Sequence, residues 1–513
     1  MKIGQFLVSL FLSLFLAVTL CPFLLAASPK ETPRPVTKVS GGLVKGVKEG
    51  DLYVYRGLPY AKPPVGDLRF APPEDAEPWA SELDGSQFGY QCYQYPGLGV
   101  KDYFSEDCLT LNVWTPAKPQ DNSKLPVYVF IHGGGFSSGA GSLPLYDPTS
   151  FAKNGVVAVT INYRLGALGF YASRETLRVY GTTGNWGILD QIKALEWVRD
   201  NIAAFGGDPT KVTIGGESAG SFSVSALTLS PLAKGLFRGA IMESGSILSL
   251  PELSYYARAD LEKSITVSKV ISDIFEVEDN PNGLKRLREA DPETMVNLVY
   301  FTLDQSAAPI FLTPVFDGHV LPKSRDAAVS FRDYSPVKVL LGFNNDESTL
   351  FIPRDTPDGV RKAMLARVFS EPKAQKFLER FKVDAQNPLS QRTFQGVTYG
   401  VFSAGMKRFA DLAASLGSDV YLYKFKFASP AVEKLGLGAT HASELPYVFN
   451  LPAIVMMGGP GAANVAKEAN ERWINFIKTG DPNQGLKAPS GLIWPKYNSK
   501  DANVLYLGEL PLH

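Results

Sequence analysis

Gly216-Glu217-Ser218-Ala219-Gly220 sets a serine between two glycines. It lies directly after the β-branched run Val212-Thr213-Ile214 and directly before a helix-compatible stretch from Ser221 to Leu227 that Pro231 stops. A serine at a tight strand-to-helix turn has its hydroxyl pushed out of the sheet, and flanking glycines are needed because a Cβ there would meet neighbouring backbone. The helix starting beside it turns free N–H groups and its positive dipole end toward any oxyanion formed at the serine. The chemistry this suits is nucleophilic attack on a carbonyl. A bare Gly-x-Ser-x-Gly also occurs in ordinary turns, so the strand before and the helix after carry the weight.

Three further pieces fall where that chemistry needs them. Upstream, the apolar strand Val127–Ile131 runs into His132-Gly133-Gly134-Gly135-Phe136, a loop that can aim backbone N–H groups at a substrate oxygen. Gly134 and Gly135 are the expected donors, joined by the amide of Ala219. Downstream, strand Val337–Leu341 ends in Gly342-Phe343-Asn344-Asn345-Asp346-Glu347-Ser348. This puts a carboxylate at the carboxyl end of a strand, where open α/β sheets keep their ligands. On spacing alone either Asp346 or Glu347 serves. The chain has four histidines: His132 precedes the glycine loop, His319 follows a turn, and His513 is the last residue. His441 lies in a loop after strand Val420–Phe425 and completes the order Ser, acid, His.

The positioning elements are apolar strands alternating with amphipathic helices. Val156–Ile161 and Gly239–Met242 read as buried strands, and Ile188, Leu189, Ile192, Leu195 and Ile202 mark one helical face ended by Gly206-Gly207. Val465, Ala469, Trp473 and Phe476 stripe a late helix that stops at Gly480. Strands joined by helical crossovers give an α/β fold, a mostly parallel central sheet with helices on both faces. Residues 251–333 and 353–414 lack strong strand signals and are expected to form helical insertions over the site.

With these motifs in place the chain resembles the type B carboxylesterases, the family of cholinesterases and bacterial p-nitrobenzyl esterases. The resemblance runs from Tyr55-Arg56-Gly57-Leu58-Pro59-Tyr60-Ala61 through Ser105-Glu106-Asp107-Cys108-Leu109 to Thr479-Gly480-Asp481-Pro482-Asn483. It implies an α/β-hydrolase fold and a serine hydrolase that cleaves carboxylic esters through an acyl-enzyme. Ser218 matches the nucleophile, Glu347 the acid, His441 the base, and Gly134, Gly135 and Ala219 the oxyanion donors. Glu217 and Ser244 match the polar groups around them. Ser348 departs from the glycine many relatives carry after the acid, which bears on loop freedom more than on chemistry. The resemblance also implies a Cys92–Cys108 disulfide, stabilising by roughly 3 kcal/mol in the chain-entropy model. No tryptophan lies between those cysteines, which argues against choline esters. The acyl-pocket wall falls at Ala308 and Ile310, small beside the aromatics of acetylcholinesterases. Tyr93, Tyr95, Tyr103 and Phe104 either line the mouth of the site or pack on one another. Two other readings are a non-catalytic adhesion or binding member of the fold and a lipase acting on longer-chain lipid esters.

Composition fits an enzyme acting on a small-molecule ester. Lys plus Arg equals Asp plus Glu at 51 each in 513 residues, so no net field favours nucleic acid or an anionic membrane. No cofactor is implied, and no cysteine or histidine cluster supplies metal ligands. Lys2 and the apolar run from Phe6 to Leu25 read as a signal peptide over 1–27, cleaved near Ala27, that takes Cys21 with it. An uncleaved anchor is the alternative. A polar linker over 28–36 and a single domain over 37–513 complete the expected organisation, secreted or periplasmic and free of the membrane once the signal is removed.

Overall fold

The computed structural model describes residues 34–94, 103–249, 260–305, 312–329, 336–351, 398–487 and 490–509. The expected signal segment, most of the linker, Tyr95, Ala308, Ile310, His513 and most of 353–414 lie outside the described residues.

A ten-stranded sheet organises the molecule. In chain order its strands are β1 Val47–Glu49, β2 Leu52–Pro59, β3 Thr110–Thr115, β4 Leu125–Ile131, β5 Val157–Ile161, β6 Gly207–Glu217, β7 Gly239–Glu243, β8 Lys338–Asn344, β9 Val420–Phe425 and β10 Leu505–Leu507. Their spatial order is β10-β9-β8-β7-β6-β4-β5-β3-β2-β1. β4 to β10 run parallel, while β1, β2 and β3 add an antiparallel edge.

Both faces of the parallel part are covered, which is why its strands are continuous apolar runs rather than alternating ones. The odd-numbered residues Val127, Val129 and Ile131 of β4 pack in one core with helices α1 Trp186–Asn201, α2 Ala219–Leu229 and α4 Ala404–Ser415. The even-numbered Tyr128 and Phe130 face α5 Ala462–Thr479 through Trp473 and Phe476. The expected helical stripes are core faces, and their stops are glycines in the left-handed region, Gly206 at φ 79° and Gly480 at φ 78°. Ile202 stands just past α1, in a 3-10 turn, Ile202–Phe205.

The described part of 251–333 is helical, with α3 Leu261–Ile274 followed by helices Pro281–Glu289, Pro292–Gln305 and Arg325–Val329. Ile271, Leu284, Leu287 and Met295 anchor it to the main core. Arg34 hydrogen-bonds to Gly46 O and Lys45 O at 2.9 Å and pairs with Asp84, and a strand starts at Val36, so folded structure reaches into 28–36. The Cys92–Cys108 disulfide is formed, with both cysteines buried. Among the described residues no helix is long and apolar enough to cross a membrane.

Candidate active site

Ser218 stands between β6 and α2 with φ 55° and ψ −121°, a conformation L side chains avoid. Close packing imposes it. A Cβ at Gly220 would sit 2.0 Å from Ile131 O, and one at Gly216 would sit 2.5 Å from the Gly220 carbonyl carbon. The start of α2 is thus pressed onto the end of β4, and the Ser218 N–H donates to Glu243 O at 2.8 Å.

The two candidate acids do different work. Glu347 opens a 3-10 turn, Glu347–Leu350, just after β8, and its Oε2 lies 2.6 Å from His441 Nδ1. Its Oε1 accepts from Ser244 Oγ at 2.6 Å and from the Asn344 N–H at 2.7 Å. Three donors thus converge on this buried carboxyl. Asp346 instead fastens the acid loop to the histidine loop: its N–H donates to Ala439 O at 2.9 Å and its Oδ2 accepts from the Ala439 N–H at 3.1 Å. Ser348 joins this bracing, since its N–H donates to Thr398 Oγ1 at 3.3 Å and its Oγ accepts from that hydroxyl at 3.2 Å.

His441 is buried beside the stacked rings of Phe402 and Phe351, at centroid distances of 4.8 and 5.2 Å. Its Nε2 lies 3.1 Å from Glu217 Oε1, on the residue immediately before Ser218. Acid and base are therefore assembled, and the base faces the elbow. Ser218 Oγ and His441 share no hydrogen bond in this structure, and the approach of Nε2 to Glu217 Oε1 is an ion-pair contact without hydrogen-bond geometry. Catalytic hydrogen bonds commonly tighten only when substrate fills the site.

The glycine loop is aimed from behind. A trans peptide is planar, with each C=O opposed to the next N–H, so holding one fixes the other. His132 Nδ1 contacts Gly133 O at 2.8 Å, which sets the direction of the Gly134 N–H. Gly134 O accepts from the N–H groups of Ser137 at 3.1 Å and Ser138 at 3.0 Å, which sets the Gly135 N–H. Gly134 and Gly135 have φ of 105° and 65°, values that favour glycine. The N–H groups of Gly134, Gly135 and Ala219 have no partner among the described residues. A Cβ at Gly133 would fall 3.1 Å from Ser218 Cβ, so loop and serine are neighbours. Burial holds the His132 imidazole down at about 4, keeping it neutral and making Nδ1–H the donor. His132 thus braces the glycine loop from behind.

Around Glu347 and His441 lies an acidic cluster that the motifs did not reveal. Glu217 and Glu243 are Cα partners at the ends of β6 and β7, so their side chains share one face of the sheet. Glu444 joins them, and with Glu347 all four carboxyls are buried. Burial, then the charge of Glu444, pushes Glu243 well above the usual carboxylate range. Burial likewise raises Glu444 to about 7 and Glu217 to about 8. Burial pulls His441 down, but Glu217 and Glu347 together overcome it and raise the imidazole to about 9. The charge of each thus bears on the other: Glu217 raises the imidazole, and His441 opposes the rise of Glu217. Removing the Glu217 charge by Glu217→Gln takes away support for the imidazolium and lowers the imidazole pKa. The acid limb of kcat/KM, which reports loss of the neutral base, is expected to move down by on the order of one pH unit. A limb that stays put or rises would contradict the contact.

Of the loop aromatics that are described, Tyr103 is exposed with its ring centroid 6.3 Å from that of Tyr90, and Tyr93 packs against the main core.

Comparison with known proteins agrees with this geometry. The model of the carboxylesterase family matches residues 33–512. The para-nitrobenzyl esterase of Bacillus subtilis (strain 168) is 34% identical over 485 residues, covering 91% of this chain and 93% of that protein. Carboxylesterase 1D of Rattus norvegicus is 36% identical over 493 residues, covering 87% and 84%. The crystal structure of carboxylesterase EST55 of Geobacillus stearothermophilus at pH 6.2 superposes with a TM-score of 0.79 at 36% identity, covering 92% of this chain and 96% of that one.

Proposed function

Because this chain belongs to the carboxylesterase family, and is an ester hydrolase of the α/β-hydrolase fold, we propose that it works through an acyl-enzyme on Ser218. Ser218 Oγ attacks the ester carbonyl while His441 Nε2 takes its proton. The N–H groups of Gly134, Gly135 and Ala219 receive the oxyanion, and Glu347 holds Nδ1–H in place and balances the imidazolium. His441 then protonates the leaving alcohol, and water repeats the sequence to release the acid. The 2.6 Å contact between Glu347 and His441, in segments that follow neighbouring parallel strands, carries this reading. A fluorophosphonate probe tests it: covalent labelling at Ser218 is the expected result, and folded protein that resists labelling would favour a binding member of the fold.

Ala308 and Ile310 are the proposed acyl-pocket wall. Their modest size favours acyl chains longer than acetyl, so butyryl esters are expected to be cleaved at least as fast as acetyl esters of the same alcohol. A strong acetyl preference would remove that assignment. Residues 37–513 are proposed as a single domain, which the extent of the family match supports. Export by the amino-terminal segment is proposed as well, and the Cys92–Cys108 disulfide supports it because such bridges persist in oxidising compartments.

A further inference from the structure

We propose that Gln94 is a positioning residue for the oxyanion loop, tying the disulfide-closed segment to the catalytic N–H groups. Its carboxamide is 3% exposed and pairs with both backbone groups of one residue: the Gly139 N–H donates to Oε1 at 2.8 Å and Nε2 donates to Gly139 O at 2.9 Å. The second Nε2 hydrogen is directed to Cys92 O at 3.1 Å, so the amide has one orientation that satisfies every partner. Cys92 is fixed in turn by its bond to Cys108.

Gly139 transmits this hold to the loop. It follows Ser138, whose N–H grips Gly134 O, and its φ of 108° brings it against the groups that aim the next donor. A Cβ at Gly139 would lie 2.5 Å from His132 Nδ1 and 2.6 Å from Gly133 O. Gln94 therefore holds Gly139 over the contact that sets the Gly134 N–H, while lying behind the loop and touching neither Ser218 nor His441. An oxyanion donor acts only at the position where charge develops, so a small displacement costs rate rather than substrate binding.

This inference rests on the acyl-enzyme reading above, and the experiment separates the two. Gln94→Leu keeps the volume and removes all three hydrogen bonds. It is expected to lower kcat for ester hydrolysis by about 10- to 100-fold with KM changed less than about threefold, a part of what losing a whole donor costs. Gln94→Glu gives the second readout. As a neutral acid it restores the pairing, since its O–H donates to Gly139 O while the other oxygen accepts from the Gly139 N–H; as an anion it repels that carbonyl. The ratio of its kcat to that of wild type is therefore expected to rise as pH falls, which a packing role alone would not produce. Folded Gln94→Leu with kcat within about twofold of wild type, or a Gln94→Glu ratio that does not change with pH, overturns the assignment. Fluorophosphonate labelling of the wild type runs alongside. If wild type is not labelled at Ser218, the parent reading has failed; if it is labelled and Gln94→Leu turns over normally, only the role of Gln94 has.

Discussion

Ser218→Ala is expected to lower ester turnover by about five to six orders of magnitude while the protein stays folded. The size follows from the site's construction. In the proposed mechanism Ser218 supplies the atom that forms the acyl bond, and the hydroxyl of Ser221 in the same first helical turn is already committed to Gly245 O. What survives is the contribution of the oxyanion donors and of substrate binding, which alone give a residual rate above water. The fold should tolerate the change because the turn is set by backbone contacts, Gly220 against Ile131 O and the Ser218 N–H on Glu243 O, that alanine retains. Alanine is strained at φ 55° just as serine is, so the exchange brings no new backbone penalty. Turnover of an ester, fluorophosphonate labelling and thermal melting check it together. Wild-type-like hydrolysis by a folded, unlabelled variant would remove Ser218 from the reaction.

The parts of this architecture that were legible in the sequence are those set by local physics. Strand β9 spans Val420–Phe425, as its apolar run indicates, because a strand covered on both faces has no polar side to hide its limits. Gly206 closes the 3-10 turn that follows α1, and Gly480 stops α5, because their backbone enters a region where a Cβ is unfavourable. The elbow and the glycine loop were legible for the same reason. Strand β6 was less so. It begins at Gly207, well before the β-branched run at Val212, and its register with β4 shifts between those residues. That irregularity belongs to the pairing, not to either segment. The acidic cluster escaped for a related reason. Glu243 was visible beside Ser244, and Glu444 stands three residues after His441, but only the register of β6 on β7 brings Glu217 and Glu243 side by side. The choice between Asp346 and Glu347 likewise depended on which carboxyl turns inward at the end of β8.

Glu347→Gln tests that choice most directly, and its expected effect is a fall in kcat of about 10⁴-fold with little change in KM. Glutamine has the same shape but only one acceptor, while three donors converge on the native carboxylate: Ser244 Oγ–H, the Asn344 N–H and His441 Nδ1–H. The Asn344 N–H is backbone and cannot turn away, and a hydroxyl can rotate but gains most by keeping its acceptor. The amide oxygen is thus drawn to Oε1's place, which leaves the NH₂ group facing His441 Nδ1. Two N–H donors cannot meet in a dry site, so the imidazole must move its proton to Nε2. Nε2 then carries a hydrogen where it must accept one from Ser218, and attack loses its base. The lost negative charge acts in the same direction, since Glu347 is one of the groups raising the imidazole toward about 9. Whatever activity remains should therefore persist to lower pH than in wild type. Glu347→Asp, which keeps the charge at a shorter reach, should recover part of the rate. A Glu347→Gln enzyme within tenfold of wild type would show that the carboxylate neither selects the tautomer nor balances the imidazolium, and Asp346 would then have to be tested in its place.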